Sequence, residues 1–369
     1  MIRVLHILGG MDRGGIETFI MNIYRNIDRN KIQFDFLLST QKECAYNNEI
    51  RNLGGKIFYV PPRKSGILKN RKALNDFFKK HREYKIVHQH VSSLTNVEPL
   101  KIAKKYHIPI RIIHSHNTNQ GGSHIHKYIH KYNQLFVESF ATHYFACSNL
   151  AAKWLYPPKQ YKEKNFKIIN NGIDVDKFIY NNEIRDTYRK KLGIENKFVI
   201  GHVGRFHPQK NHEFLIEIFR AVVNRNKNSL LLLVGDGSLR QYIEEKVNRL
   251  KLTDNVMFAG VRSDIPELLQ AMDVFVMPSY HEGLPVTLVE AQSACLPCVL
   301  SKNITDEIEI LDNIKWCDLS DDLSIWVDNI LYFMKNTIRR NTKKEIIDAG
   351  FDINNVAHEL QQIYIQSIN

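Results

Sequence analysis

Short apolar runs rich in β-branched residues alternate with longer amphipathic stretches along the whole chain. The first run, Arg3–Leu8, is followed by a glycine-rich turn and then by a helical spacing of apolar residues from Ile16 to Ile27. A second series of the same kind begins at Phe198–Val203, after a polar stretch over residues 170–196. This alternation predicts α/β architecture with two doubly wound, Rossmann-like domains.

The same pattern predicts the other strands and the domain limits. Further strands are expected at Phe34–Leu38, Ile57–Val60, Ile86–His90, Ile110–His114, Tyr144–Cys147, Leu230–Val234, Val256–Ala259, Val274–Met277 and Cys298–Leu300. We place an N-terminal domain at residues 1–175 and a C-terminal domain at 176–354, and expect a helix over about 355–369 to pack back on the first domain. Two such domains facing a central cleft would gather strand ends and helix N-termini there.

Charge is distributed unevenly over the 369 residues. The formal net charge is +12, but residues 1–180 carry +16 and residues 181–369 carry −4. This asymmetry indicates that the N-terminal half faces a polyanion, either nucleic acid or an anionic membrane surface. Five cysteines do not suit a disulfide framework, and no apolar run reaches 18 residues or has the form of a signal peptide. We therefore expect a cytoplasmic protein that meets a membrane only peripherally.

The first glycine-rich turn contains Gly14 and Gly15 just before a helix. Glycines allow the backbone to approach an anion, and a helix N-terminus offers free N–H groups to it. The spacing is neither that of a dinucleotide site nor that of a phosphate-binding loop ending in Gly-Lys-Ser/Thr. An anion site and a plain strand-to-helix connection therefore remain as alternatives.

The second domain opens with a strand that ends in Gly204 and Arg205, with Lys210 five residues later at the start of a helix. Basic residues oppose the dipole of a helix N-terminus, so a bound anion would explain them. The planar, forked guanidinium of Arg205 and the compact ammonium group of Lys210 would both reach one diphosphate. The alternative is a pair of solvated surface cations.

Two acidic residues surround a third glycine turn. Glu282 precedes Gly283 and Leu284, whose N–H groups would face the same site, and Glu290 follows about two helical turns later. Acids beside an anion-binding turn are suited to accepting hydrogen bonds from hydroxyl groups, such as those of a sugar and a ribose.

Taken together, the Gly-Arg…Lys turn and the Glu-x7-Glu pattern within His281-Glu-Gly-Leu-Pro285 resemble the retaining nucleotide-sugar glycosyltransferases of family 4, which have the GT-B fold. The resemblance extends over nearly the whole chain. Its other elements follow in the family's order: Gly14-Gly15, Asn171–Asp174, Val234–Gly237 and Phe258–Gly260.

This resemblance implies that the N-terminal domain binds the acceptor and that the C-terminal domain binds the nucleotide-sugar. It also implies roles for the residues that match. Arg205 and Lys210 would hold the donor diphosphate and stabilise its departure, with Gly204 and Gly235 in the surrounding turns. Glu282 would contact the donor sugar, Glu290 the ribose, and the backbone of Val261 and Arg262 the base. Asn171 and Asp174 match the linker, where we count them with the acceptor side. The family needs no metal for the diphosphate, so no cofactor and no metal are expected.

Histidines follow the predicted strand Ile110–His114. His116 aligns with the family's histidine near the anomeric carbon of the donor, and His114 is the alternative. Either is also compatible with a hydrogen-bonded structural histidine. Together with His124, His126 and His130 they suggest a metal site as a further alternative. The lack of cysteine and carboxylate ligands nearby disfavours it.

The chain departs from the family's pattern at two places. Cys295 stands where the helix after Glu290 usually ends in glycine, and with Cys298 it forms a Cys-x-x-Cys pair that we do not expect to be redox-active. The usual Gly-Gly-x-x-Glu is absent after the next strand, where Ser301–Glu307 stand. Donor contacts of that loop are therefore not transferred.

A cation-rich stretch over residues 63–85 carries apolar residues at Leu68, Leu74, Phe77 and Phe78. It would suit either an amphipathic helix lying on anionic lipid or a helix with a core-facing stripe and a solvated basic face.

The expected function is therefore retaining transfer of a hexose or N-acetylhexosamine from a UDP-sugar to a glycan acceptor, lipid-linked or not, in bacterial capsule or exopolysaccharide synthesis. A nucleotide-sugar epimerase of the same fold is the first alternative. A basic nucleic-acid-binding protein is the second, and it is disfavoured because no strand platform with interleaved aromatic residues is present.

Overall fold

The structure is a computed structural model that describes residues 1–117 and 123–368. The chain divides into two compact units. Unit 1 consists of Met1–Gly172 together with Ile353–Asn369, and unit 2 is the continuous segment Ile173–Asp352. The first boundary lies three residues before the expected one and the second two residues before it.

Unit 1 contains a parallel sheet of seven described strands in the order β3-β2-β1-β4-β5-β6-β7. The strands are β1 (Ile2–Leu8), β2 (Ile32–Leu38), β3 (Ile57–Tyr59), β4 (Ile86–Val91), β5 (Ile110–Ser115), β6 (His143–Ala146) and β7 (Phe166–Ile168). The inner strands β2 and β4 are buried at every position, as is typical of a parallel sheet covered on both faces.

Unit 2 contains a second parallel sheet, of six described strands in the order β10-β9-β8-β11-β12-β13. They are β8 (Phe198–Val203), β9 (Ser229–Val234), β10 (Val256–Gly260), β11 (Val274–Met277), β12 (Cys298–Ser301) and β13 (Ile314–Cys317). The two sheets confirm the expected α/β class with two Rossmann-like domains.

Helices cover the faces of both sheets. In chain order they are α1 (Gly15–Asn26), α2 (Asn47–Asn52), α3 (Ile67–Lys80), α4 (Glu98–Lys105), α5 (His124–Leu135), α6 (Asn149–Leu155), α7 (Val175–Phe178), α8 (Asn182–Leu192), α9 (His212–Arg225), α10 (Arg240–Arg249), α11 (Ile265–Ala271), α12 (Val286–Ser293), α13 (Leu323–Lys335), α14 (Lys343–Asp348) and α15 (Ile353–Ile368). None of these helices combines the length and the hydropathy that a bilayer crossing requires.

Helix α15 belongs to unit 1, where it packs against α1. Its buried face, with Val356, Leu360 and Tyr364, shares a hydrophobic core with Phe19 of α1. The other face of the unit 1 sheet has its own core beneath α3, α4 and α6. Residue 369, the end of the expected helix, lies outside the described residues.

Four elements differ from the sequence expectation. The predicted polar interruption at 170–196 contains helices α7 and α8, and the edge strands β7 and β13 were not predicted. Helix α8 packs against α11 and is anchored by Arg185 and Arg189, which both pair with Asp273. Helix α8 is therefore held by ion pairs and backbone contacts, which an apolar pattern does not reveal.

Candidate active site

The carboxyl end of β8 carries the basic turn. Gly204 and Arg205 follow the strand directly, Pro208–Lys210 form a short 3₁₀ turn, and α9 begins after Asn211, which has a left-handed backbone with φ 55°. Arg205 is exposed and forms no ion pair within the part of the chain that the structure describes. Its guanidinium is thus available to an anion at a strand end.

Lys210 and Glu282 form a close ion pair. The Lys210 Nζ lies 2.8 Å from Glu282 Oε1, and Gln209 donates a 3.3 Å hydrogen bond to Glu282 Oε2. Glu282 is only 8% exposed, and its Oε1 has no well-directed hydrogen-bond donor among the described residues. A buried carboxylate oxygen in this state is suited to accepting a hydroxyl hydrogen from a ligand.

The turn after Glu282 leads into α12. Gly283 is partly exposed, whereas Leu284 points into the core of unit 2. Any ligand contact of Leu284 is therefore restricted to its backbone. Pro285 directly precedes the first residue of the helix, Val286.

Glu290 lies within α12 and is partly exposed, with no ion-pair partner in the described chain. Although the residue as a whole is partly exposed, its carboxyl group is buried, and this burial raises the pKa of the carboxyl group to about 7. Near neutral pH this group therefore exists partly as the carboxylate, which only accepts hydrogen bonds, and partly as the carboxylic acid, which also donates one.

Glycines bring neighbouring strand-end turns into contact. Gly235 has φ 134°, and a Cβ atom there would lie 2.1 Å from the carbonyl oxygen of Gly204. Gly237 has φ 157° and is packed in the same way against the backbone of Phe206. Gly235 and Gly237 thus have a structural reason to be glycine, since they bring their turn against the backbone of the basic turn at Gly204 and Phe206.

The turn after β10 carries the residues expected to meet a base. Val261 is 67% exposed, and the Nε of Arg262 donates a 2.7 Å hydrogen bond to Asp264. Tyr188 donates a further hydrogen bond to Asp264, at 3.1 Å. Arg262 is therefore held by an acid of its own turn, and Val261 presents an open edge.

Gly14 and Gly15 in unit 1 do not need glycine's conformational freedom, because neither has a positive φ. A Cβ atom at Gly15 would meet nothing within 4 Å, whereas one at Gly14 would meet the carboxylate of Glu17. The open space above Gly15 agrees with either alternative, a ligand that approaches closely or a plain turn.

His116 and His114 are placed differently. His114 lies within β5, is fully buried and contacts His88 through a 3.1 Å bond between ring nitrogens. His116 follows the end of β5, is partly exposed and contacts His90 at 2.8 Å. The position of His114 thus fits a hydrogen-bonded structural histidine, and His116 is the one that lies at the carboxyl edge of the sheet.

The histidines considered for the disfavoured metal site do not lie together. His130 is engaged by the backbone of Leu94 and Trp154, and His124 and His126 are exposed on α5. The histidines that gather around His114 and His116 are instead His6, His88 and His90, which sequence reasoning missed. Their alternate spacing in buried strands was the signal that could have shown it.

The linker residues lie near the crossing between the units. Asn171 is partly buried, with a side-chain oxygen that has no partner among the described residues. Asp174 precedes α7 and pairs with Lys177 at 2.8 Å. A backbone bridge between Ile173 and Asp352 joins the two crossing segments.

The two departures have local explanations. Cys295 ends α12 with φ 50°, the left-handed position that glycine usually occupies after a helix. All five cysteines are buried thiols, and burial raises the pKa of the Cys298 thiol. A redox role would need a lowered thiol pKa. After β12 a short 3₁₀ turn, Asp306–Ile308, occupies the place of the family's Gly-Gly loop.

The basic stretch over residues 63–85 contains α3, whose Leu74 and Phe78 are buried in the core of unit 1. Phe77 packs against the same core. Only Ile67 and Leu68, at the start of the helix, expose large apolar side chains. The core-facing alternative therefore explains most of the apolar stripe on this helix.

A cavity of about 290 Å³ opens at the carboxyl edge of the unit 1 sheet. It is lined by the ends of β1 and β4, including Gly9, Gln89 and His90, and by Ser93 and Asn96. Polar side chains at strand ends in a doubly wound sheet are the usual setting for a ligand.

Two family models match the chain, one for most of each unit. Residues 13–177 match the family described as Glycosyltransferase Family 4, and residues 184–350 match the family described as Glycosyl transferases group 1.

Similar proteins support the same assignment. The putative glycosyltransferase EpsF of Bacillus subtilis (strain 168) is 36% identical, covering 98% of this chain and 96% of that protein. The UDP-Gal:alpha-D-GlcNAc-diphosphoundecaprenol alpha-1,3-galactosyltransferase of Escherichia coli is 27% identical, covering 100% and 96%. The capsular polysaccharide biosynthesis glycosyltransferase CapH of Staphylococcus aureus is also 27% identical, covering 99% of both chains.

Among solved structures, Anabaena Alr3699/HepE in complex with UDP superimposes with a TM-score of 0.79 at 20% identity, covering 99% of this chain and 100% of that one. WaaG, a glycosyltransferase involved in lipopolysaccharide biosynthesis, superimposes with a TM-score of 0.70 at 17% identity, covering 98% and 99%. With both family models and a full-length relationship to EpsF, the chain belongs to the family 4 glycosyltransferases and has their GT-B fold.

Proposed function

We propose that this glycosyltransferase transfers a hexose or N-acetylhexosamine from a UDP-sugar, with retention of configuration, to a growing bacterial surface polysaccharide. The names of the E. coli and S. aureus relatives support the UDP-sugar and the polysaccharide. The Anabaena neighbour was solved with UDP and with UDP-glucose. A lipid-linked glycan acceptor follows the E. coli relative, which acts on a diphosphoundecaprenol-linked sugar.

The observation that carries this proposal is the strand-end site of unit 2. Arg205, which has no ion-pair partner among the described residues, and the Lys210–Glu282 pair lie on turns that follow the neighbouring strands β8 and β11. Cations beside a buried acid suit a ligand that combines a diphosphate with hydroxyl groups.

In the proposed reaction, Arg205 and Lys210 neutralise the charge that develops on the diphosphate as the glycosidic bond to it breaks. Glu282 accepts a hydrogen bond from a hydroxyl group of the sugar. The acceptor hydroxyl forms the new bond on the same face of the sugar that the diphosphate leaves. An oxygen of the departing phosphate takes the proton of that hydroxyl. The imidazole of His116 contacts the sugar. Two fixed cations supply the stabilisation that a metal gives elsewhere, so the proposal assigns no metal to the diphosphate.

The acceptor and membrane side of the proposal rests on unit 1. Helix α5 exposes Ile125, Tyr128, Tyr132 and Leu135, which recur on one helical face, with exposed lysines 127 and 131 beside them. Aromatic and basic side chains together are the composition of a helix that lies on anionic lipid. We propose that this surface, more than α3, holds the protein to the inner face of the cell membrane. Nucleic acid is not expected as a partner.

The test of the donor site is binding and turnover in Arg205→Ala. We expect UDP affinity to fall about 10–100-fold, because a charge-assisted hydrogen bond is lost, and transfer to fall by roughly 10²–10³-fold. Arg220→Ala is the matched control, since Arg220 is also exposed and pairs with Glu217 three residues away. Full turnover in Arg205→Ala would remove the residue from the mechanism.

The same assay separates the alternatives. Isomerised donor in the absence of any acceptor would identify an epimerase. Saturable binding of free UDP supports the donor site, whereas polynucleotide binding that weakens steeply with salt would favour the nucleic-acid reading.

A further inference from the structure

Five histidines of unit 1 lie together on one face of the sheet, beneath α1 and α15. They are His6 on β1, His88 and His90 on β4, His114 on β5 and His116 just after it. Residues at alternate positions of a strand share a face, and the register places His6 beside His88 and His90 beside His114. Adjacent rings lie as close as 4.0 Å between centroids.

Three of these rings each place one nitrogen near those of the other two. His90 Nδ1 lies 2.8 Å from His116 Nε2, and His90, His114 and His116 each offer one nitrogen within 4.8 Å of the other two. The Nε2 of His114 is buried and has no partner among the described residues. For bonds of ~2.1 Å to one ion, ligand nitrogens lie ~3.0–3.4 Å apart. Movements of an ångström or so would complete such a set.

The second nitrogens of two of these rings are already engaged. His90 Nε2 lies 2.9 Å from His6 Nδ1, and His114 Nδ1 lies 3.1 Å from His88 Nε2. His88 continues through its Nδ1 to the hydroxyl of Tyr364, at 2.7 Å. Histidines that bind a metal usually donate their other ring N–H to a fixed partner, which sets the tautomer and orients the ring. His6 and the His88–Tyr364 relay can fill that role here.

The chemistry of the three rings selects the ion. Burial lowers the pKa of each of them, so they are neutral and their lone pairs are not lost to protons. Ions that prefer imidazole nitrogen are those of the zinc, cobalt, nickel and copper group, whereas magnesium and calcium prefer oxygen.

Access distinguishes this set from its neighbour. A second possible set, His6, His88 and His90, is buried throughout. In contrast, His116 is partly exposed and His90 lines the cavity of about 290 Å³ at the sheet edge. An ion could reach the His116 side and keep water or an anion in its open coordination positions.

We propose that His90, His114 and His116 form a binding site for one metal ion of the set zinc, cobalt, nickel and copper. An ion held there engages the ring nitrogen of His116, and so withdraws this residue from the sugar donor. The consequence, inhibition of transfer by zinc, rests on the proposed function, whereas binding of the ion does not.

The test uses the full chain without an affinity tag, dialysed against zinc chloride, with cobalt chloride as an optical probe. We expect one ion per chain and a cobalt absorption spectrum typical of nitrogen ligands. His116→Ala, on a partly exposed residue, and His114→Ala should each abolish this stoichiometric binding. His88→Phe should weaken it about 10–100-fold, the usual effect of losing an outer partner.

The matched control is the double variant His124→Ala/His126→Ala, which removes two exposed histidines of α5 and should leave binding unchanged. Loss of binding in this control alone, or no binding of zinc and cobalt by the native chain, would overturn the proposal. Unfolding of His114→Ala leaves His116→Ala to decide. UDP binding is measured on the same samples without metal, so a failed metal site and a failed donor site are told apart.

Discussion

At the scale of single residues, the Lys210–Glu282 pair determines what the donor site can do before a ligand arrives. Glu282 is buried, and its charge is compensated mainly by Lys210 at 2.8 Å. A diphosphate would compete with Glu282 for this lysine, whereas a sugar hydroxyl can bond to the carboxylate and leave the pair intact. The arrangement therefore favours the exposed Arg205 as the first contact of the diphosphate.

Glu290 makes the affinity for UDP depend on pH. Its pKa, raised by burial to about 7, means that the carboxylate loses its charge as the pH falls below 7. If two ribose hydroxyls donate to it, the ionised form binds more tightly. We expect UDP affinity, measured by calorimetry, to rise between pH 6 and 8 and to level off above the pKa of Glu290.

The control for this pH dependence is Glu290→Gln, which keeps the shape of the side chain and removes the titration. The affinity of this variant for UDP should vary less with pH. The variation that remains comes from titration of the terminal phosphate of UDP itself. Identical pH profiles for the two proteins would contradict a ribose contact of Glu290.

At the scale of elements, the surface of α5 gives a test of membrane association. Tyr128→Ser/Tyr132→Ser should lower the affinity for vesicles that contain phosphatidylglycerol at least about tenfold, since two partly inserted rings contribute roughly 2–3 kcal/mol together. Binding is measured by co-sedimentation, with zwitterionic vesicles as the reference for the charge contribution of the lysines.

Two exposed tyrosines of unit 2 provide the matched control for this surface. Tyr242 and Tyr332 are 42% and 48% exposed, and Tyr242→Ser/Tyr332→Ser should bind vesicles like the native protein. Equal loss in both double variants would show a nonspecific effect of removing aromatic rings, and the membrane role of α5 would fail.

Elements with a strong apolar pattern were predictable from the sequence, and the others were not. Strands such as β8 and β9 are buried at every position, so their runs are unambiguous. Strand β7 has three residues, none fully buried, and in α8 only Arg189 is buried. Such elements are stabilised by tertiary contacts, here the ion pairs with Asp273, which leave no periodic signal.

The candidate site was predictable in its residue types and only partly in its contacts. Glu282 and Lys210 could be named from their turns, but their pairing depends on how two strand ends meet in space. The histidine cluster was missed for the same reason, because His6 and His88 are neighbours only through the register of β1 and β4. Contacts across a parallel sheet depend on a strand order that the sequence does not state locally.

At the scale of the whole molecule, the chain crosses between its units twice. It leaves unit 1 after Gly172 and returns at Ile353, and a Cβ atom at Gly172 would lie 3.0 Å from the Cα of Ile353. The two ends of the excursion are thus adjacent, and unit 2 is inserted between them as one continuous segment. Unit 2 also has its own two hydrophobic cores, one on each side of its sheet.

Because unit 2 is one continuous segment and unit 1 is not, we expect cutting the chain to affect the folding of the two units differently. The fragment 173–352 contains all of unit 2, so we expect it to fold alone and to bind UDP, by calorimetry, within a few-fold of the full chain. The fragment 1–172 lacks α15, whose Ile353, Val356, Leu360 and Tyr364 are buried in the core of unit 1. Each such side chain contributes about 1.5–3 kcal/mol, and their sum matches the usual 5–15 kcal/mol stability of a domain.

We therefore expect 1–172 to be unfolded by circular dichroism and urea titration, and a chain that joins residue 172 to residues 353–369 through a short Gly-Ser linker to recover a cooperative transition. The linker is feasible because the two ends are adjacent, and the recovered protein contains every element of unit 1. A cooperative transition in 1–172 alone would show that α15 is dispensable. Failure of 173–352 to bind UDP while folded would instead show that the donor site needs residues of unit 1.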